Sequence, residues 1–126
     1  MKQFIKTEHA PAPIGPYNQA VLVNDTLYVS GQIGLNPVSM ELVEGGVVAE
    51  TEQVMLNLKA VLDAANMSFD NVIKSTIFVA DMHDFSKVNE VYGKYFDSST
   101  APARECVEAS NLPKFVTVEI SVIAVK

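Results

Sequence analysis

Along the chain the spacing of apolar positions changes period several times, and each change marks an element. Between residues 49 and 65 the set Val54, Met55, Leu58, Val61, Leu62 and Ala65 recurs at intervals of three and four, the stripe of a helix packed on one side. Asn66 follows, a residue that tolerates left-handed backbone just past a helix end. Residues 72–80 are rich in β-branched side chains and alternate instead, with Ile73, Ile77 and Val79 on one face and Lys74, Thr76 and Phe78 on the other, which predicts a strand. A second helix is predicted from Asp84, the expected cap, to about Asp97. Its inward stripe is Phe85, Val88, Tyr92, Tyr95 and Phe96, and Glu90 and Lys94 form an outward i,i+4 pair.

The remaining strands are shorter. Val21, Leu22 and Val23, then Asn24-Asp25, then residues 27–30 read as a hairpin around a two-residue turn. Residues 103–109 and 116–125 read as two strands joined by a turn containing Pro113, and Phe4-Ile5 as a further short one. Residues 10–17, with Pro11, Pro13, Gly15 and Pro16, must be an extended loop, and residues 37–46 are loop-like with Gly45-Gly46 as the breaker. The order is ββαβαββ, an α+β fold in which crossover connections place both helices on one face of a mixed sheet. In the last strand Val116, Val118, Ile120, Val122 and Ala124 would face the helices, and Thr117, Glu119, Ser121 and Ile123 the other way. That second face, with Phe78 and Ile123, is half apolar, so a homo-oligomer that covers it is expected.

Composition narrows the class. The 126 residues fit a single domain spanning 1–126, and 48% hydrophobic with 19% charged residues belongs to a folded chain rather than a disordered one. No stretch reaches the length of a membrane helix, the N-terminus lacks the apolar core of a signal peptide, and the single Cys106 cannot form an internal disulfide; cytoplasmic location and no membrane partner are expected. A net charge of -6 argues against nucleic acid as a partner, because such binding needs clustered Lys and Arg to displace counterions. An anionic ligand would need a local site, which draws attention to the only arginine, Arg104.

Arg104 and Cys106 are two apart on one strand, so they share a face, here expected to be the oligomer face. A guanidinium presents parallel N–H donors that match a carboxylate; the alternative is a structural ion pair with Glu105 or Glu108. Cys106 reads more readily as a small buried apolar residue than as a nucleophile, and no Cys/His pairing supports covalent catalysis. Glu119 interrupts an apolar strand. If the last two strands form a hairpin it lies nearly opposite Arg104, either to orient water and accept its proton or simply as an ion-pair partner. Ser30-Gly31-Gln32 ends a strand at a glycine that would let a ligand approach backbone N–H groups, though glycine also ends strands for no functional reason. His9 and His83 lack the spacing of a metal pair and no phosphate loop or dinucleotide motif is present, so neither metal nor cofactor is expected. Tyr92 and Tyr95 read as core.

Gly15-Pro16-Tyr17, Ser30-Gly31-Gln32-Ile33, Val79-Ala80-Asp81-Met82-His83-Asp84-Phe85 followed by Val88-Asn89-Glu90-Val91-Tyr92, and Ala101-Pro102-Ala103-Arg104-Glu105-Cys106-Val107-Glu108 with Leu112-Pro113 and Val118-Glu119-Ile120 occur in order over essentially the whole chain. Together they resemble the RidA/YjgF family of reactive-intermediate deaminases, the segment around Arg104 being the most specific. The resemblance implies a chorismate-mutase-like subunit assembled as a homotrimer, with a site in each cleft between subunits. It also implies hydrolysis of 2-iminobutanoate and 2-iminopropanoate, released by pyridoxal-phosphate dehydratases, to 2-oxo acids and ammonia, with no cofactor. By position, Arg104 would bind the carboxylate and Tyr17, Ser30, Gly31, Asn89, Cys106 and Glu119 would line the cleft, Glu119 positioning water. Two turn positions depart from the family's habit, Ser39-Met40 where Thr-Gly is common and Asn66 where Gly is common. A non-catalytic sensor of small carboxylates and an RNA-cleaving or translation-inhibiting protein are the alternatives, the second disfavoured by the acidic charge.

Overall fold

A computed structural model of the chain describes residues 1–126. It contains strands β1 (Lys2–Ile5), β2 (Ala20–Val23) and β3 (Thr26–Gln32), helix α1 (Gly46–Ala64), strand β4 (Val72–Val79), helix α2 (Phe85–Gly93), and strands β5 (Ala103–Glu108) and β6 (Val118–Val125). One six-stranded sheet runs in the order β1-β2-β3-β6-β4-β5, with only the β4–β5 pair parallel. This is the expected α+β arrangement. Asn24 takes φ 54 in the β2–β3 turn, where Val23 pairs with Thr26, and Asn66 takes φ 59 just beyond α1. Both are asparagines doing what their short polar side chains permit.

The helices lie together on one sheet face. Val54, Met55, Leu58, Val61 and Leu62 of α1 are fully enclosed against Leu27, Ile77, Val79, Val118, Ile120 and Ala124 of the sheet, each large side chain contributing about 1.5–3 kcal/mol of burial free energy. Along β6 the alternation is strict: Val118, Ile120, Val122 and Ala124 are buried and the residues between them only half so. Val116 precedes the strand and packs in a small separate cluster with Ile33, Leu35 and Leu112. The opposite face carries a row formed by Phe4, Val21, Tyr28, Ile123 and Lys74 across five strands, with Phe4 and Tyr28 about half exposed. No helix is long and apolar enough to cross a membrane.

Several local expectations fail, each for a physical reason. The last two strands do not form a hairpin: β6 pairs with β3 and β4, and β5 joins the far side of β4. Ile73 is not inward but 52% exposed, because a bulge between Val72 and Lys74 shifts the pairing with β6 and leaves Val72 in the core instead. The side chain that caps the start of the second helical segment belongs to Asp81, which accepts from the His83 N–H at 2.9 Å; Asp84 makes no side-chain cap. Helix α2 stops at Gly93 rather than near Asp97, and Tyr95 and Phe96 beyond it pack on Phe69. Lys94 reaches Glu52 of α1 at 3.9 Å, not Glu90.

Candidate active site

Arg104 sits on the edge strand β5, in register with Ser75 of β4. Ser75 is fully buried and accepts a hydrogen bond from the Tyr92 hydroxyl at 2.9 Å, so this register position faces the helices. Arg104 therefore also faces them, and the expectation that it and Cys106 lie on the half-apolar oligomer face is wrong. Its guanidinium lies 5.1 Å from the Tyr92 ring centroid and 5.5 Å from that of Phe85, and Nη1 donates to Asn89 Oδ1 at 2.6 Å. Phe85, Asn89 and Tyr92 are spaced by four and three along α2, which puts all three on one helix face beneath the arginine.

The carboxylates expected to neutralise Arg104 are engaged elsewhere. Glu105 pairs with Lys74 at 3.4 Å, and Glu108 accepts from the Met82 N–H at 2.8 Å. No carboxylate of the chain pairs with Arg104, which is exposed and makes one side-chain hydrogen bond, to Asn89. An always-charged fork beside two aromatic rings, with no carboxylate of its own chain, has the chemistry to take an external carboxylate. Cys106, two residues on, pairs with Ile77 and packs half-buried against the core. Burial pushes its thiol up, with Arg104 opposing in part, so it is not an activated thiolate.

Glu119 lies on the opposite face. It stands between Val118 and Ile120, both fully buried toward the helices, and pairs with Phe78. In β3 the pairing with β6 jumps from Val29 opposite Val122 to Gln32 opposite Ile120, so Ser30 and Gly31 together oppose Ser121. This bulge brings the backbone of Gly31 under the Glu119 side chain, leaving a gap that no Cβ fits: it would meet Oε2 at 2.6 Å and Cδ at 2.9 Å. Burial raises the Glu119 carboxyl above its ordinary range. Its neighbours form a cavity of about 400 Å³ walled by Pro11, Ala12, Ile14, Tyr17, Ile33, Leu35 and Pro113, with Gln19, Ser30, Gly31, Gln32 and Glu119 as its polar part. The Ser30 hydroxyl donates to the Asn18 carbonyl at 2.6 Å and so ties the proline-rich loop to β3.

Within one chain the candidate residues thus fall into two groups. Tyr17, Ser30, Gly31 and Glu119 share the cavity, while Arg104, Asn89 and Cys106 gather at the β5 edge on the helix side. The expected apposition of Glu119 and Arg104 does not occur. Strand β4 lies between their strands, their register positions are three residues apart, and they face opposite ways. That Phe85 and Tyr92 bring their rings to Arg104 is not read from the sequence, although their spacing with Asn89 is the signal for it.

The motif order and this topology meet in the comparisons with known proteins. A family model described as Endoribonuclease L-PSP matches residues 7–126. The chain belongs to the RidA/YjgF family. A RutC family protein of Synechocystis is 52% identical over 98% of this chain and 95% of its own length. The goat protein named 2-iminobutanoate/2-iminopropanoate deaminase is 51% identical over the whole of this chain and 91% of its own. Among solved structures, a putative endoribonuclease from Thermotoga maritima superposes with a TM-score of 0.96 at 48% identity, covering 100% of this chain and 98% of that one. E. coli TdcF, solved with bound serine, gives 0.92 at 40% identity, covering 98% of each. The fold is accordingly YjgF-like. Against the RidA/YjgF pattern the two departures, Met40 and Asn66, both adopt positive φ, 60 and 59, which is the conformation a glycine would take without strain.

Proposed function

We propose that this protein hydrolyses 2-imino acids such as 2-iminobutanoate and 2-iminopropanoate to 2-oxo acids and ammonia, as a homotrimer whose sites lie between subunits. The observation that carries this reading is an arginine with no carboxylate partner, presented on one side of the subunit, while a half-buried glutamate stands in a cavity on the other. Two such half-sites in one chain call for a head-to-tail arrangement in which Arg104 of one subunit faces the Glu119 cavity of the next. The row Phe4, Val21, Tyr28 and Ile123 supplies the apolar surface to be covered. The mammalian relatives carry the deaminase name, and TdcF was solved with an α-amino acid.

The chemistry suits these groups. Arg104 would take the substrate carboxylate in its fork and fix the imine carbon, which is electrophilic once protonated. Glu119, ionised, would hold a water ~3 to 3.5 Å from that carbon and accept its proton on attack. The resulting tetrahedral carbon carries hydroxyl and amine. Glu119 returns that proton to nitrogen and, as ammonia leaves, takes the hydroxyl proton, so the carbonyl forms with water's oxygen and the second proton departs with ammonia as ammonium. Cys106, its thiol held up by burial, is a wall rather than a nucleophile. Tyr17, Ser30, Gly31 and Asn89 bound the cleft. The single cysteine suits the cytoplasm, where dehydratases release such imines.

The test is to generate 2-iminobutanoate with a threonine dehydratase and follow its disappearance. Accelerated, stoichiometric release of 2-oxobutanoate and ammonia is expected; decay at the rate without added protein would refute the activity.

A further inference from the structure

The connection between β1 and β2 carries much of the cavity wall, yet it has little structure of its own. Three prolines interrupt it, and outside the strands its only backbone–backbone bonds are Tyr17 N–H to the Gly15 carbonyl and Ser30 N–H to the Gln19 carbonyl. Beside the Ser30–Asn18 tie, most of what it lacks is supplied by one side chain, Gln19, which is 3% exposed. Gln19 Oε1 accepts from the Thr7 N–H at 2.8 Å, and Nε2 donates to the carbonyls of Thr7 at 3.0 Å, Ala10 at 3.2 Å and Pro11 at 2.9 Å. The amide orientation is unambiguous, because the reverse would set the oxygen against three carbonyls.

Gln19 also borders the cavity, but its two N–H hydrogens are already shared among three acceptors, so it has no donor left for a ligand. We infer that Gln19 is a positioning residue whose carboxamide docks the Pro11–Tyr17 wall beside Gly31 and Glu119, and thereby sets how tightly the site holds its 2-imino or 2-oxo acid. The inference rests on the deaminase reading. Arg104 and Glu119 are untouched by loss of the clamp, so the chemical step should survive while the enclosing wall is lost.

The test uses the full-length protein in its native assembly, with Gln19→Leu and the near-isosteric Gln19→Glu, which retains an acceptor for Thr7 but repels the carbonyls. Three quantities are read: hydrogen exchange at the Thr7 amide, binding of 2-oxobutanoate by calorimetry, and kcat and KM on 2-iminobutanoate. In Gln19→Leu exchange at Thr7 should accelerate, and in both variants KM and the 2-oxobutanoate Kd rise about tenfold or more while kcat stays within about threefold. If Gln19→Leu does not fold, Gln19→Glu decides by KM, Kd and kcat. Faster exchange with unchanged KM and Kd would overturn the inference, as would an equal fall in kcat and kcat/KM, which would mean that Gln19 acts in the chemical step. A parent protein that neither deaminates 2-iminobutanoate nor binds 2-oxobutanoate would overturn the deaminase reading and this inference with it; activity in the parent with unaltered variants sinks only the role of Gln19.

Discussion

The Glu119 side chain lies directly across the backbone of Gly31, close enough that a methyl group there would come 2.6 Å from Oε2 and 3.0 Å from Cγ. The β3 bulge creates that approach, and only glycine permits it. Gly31→Ala should push the carboxylate out of place without breaking the sheet, because the displaced group is a flexible side chain rather than backbone. We expect kcat/KM to fall at least about tenfold, equivalent to ~1.4 kcal/mol, with a melting temperature within a few degrees of the parent. Retention of activity within about twofold would show that the placement of Glu119 over Gly31 is unimportant.

Arg104→Lys should fail almost as badly as Arg104→Ala. Lysine keeps the charge but cannot offer a bidentate fork, nor keep a planar cation beside Phe85 and Tyr92 while donating to Asn89. A charge-assisted pair contributes about 1.5 to 3 kcal/mol, so kcat/KM should drop roughly tenfold to more than a hundredfold, with misorientation of the imine carbon adding to the loss. Circular dichroism should be unchanged. Activity within a few-fold of the parent would mean that some other group anchors the carboxylate.

Cys106→Ala should keep much of the activity. The thiol is raised by burial and its strand partner is the core residue Ile77, so alanine removes a wall atom and not a nucleophile. Steady-state kinetics on 2-iminobutanoate measure this directly. Complete loss with an intact fold would require a covalent mechanism.

The pH profile tests Glu119. A base must be ionised to accept a proton from water, and burial raises this carboxyl, so activity is lost as pH falls through a pKa above the ordinary glutamate range. The acid limb of kcat/KM should report that raised value, and Glu119→Gln should lose most activity and the limb together. A limb at the ordinary glutamate position, or one that persists in Glu119→Gln, would assign the titration elsewhere.

The element order and the inward residues of β6 were legible because period and burial coincide there. Which strand neighbours which was not. Residues 103–109 and 116–125 look like a hairpin by proximity, and nothing local says that β4 takes the place between β5 and β6. With β4 between their strands and opposite facing, Arg104 and Glu119 do not meet as the hairpin reading expects. Ile73 failed for a similar reason, since a bulge flips every face assignment on one side of it and has no signature in β-branched residues. The clamp made by Gln19 was invisible because its partners are backbone groups of an irregular loop.

The separation of the two half-sites makes one further outcome quantitative. If each site combines Arg104 of one subunit with Glu119 of its neighbour, a mixture of two inactive variants should regain activity. Arg104→Ala subunits contribute an intact Glu119 cavity and Glu119→Gln subunits an intact arginine. When the two are unfolded and reassembled together in equal amounts, each interface draws its arginine side and its glutamate side independently. About half of the arginine sides and half of the glutamate sides are then functional, so about a quarter of the sites recover in any closed ring with head-to-tail contacts. The homogeneous variants, carried through the same cycle, should stay near the uncatalysed rate. Recovery to about 25% of parent kcat on 2-iminobutanoate, with KM like the parent, is the expected result, because the restored sites contain only native groups. Mixed assemblies should be confirmed by mass spectrometry of intact complexes. If mixed complexes form and activity stays at the level of the separate variants, Arg104 and Glu119 act within the same chain or in different processes, and the intersubunit site is wrong.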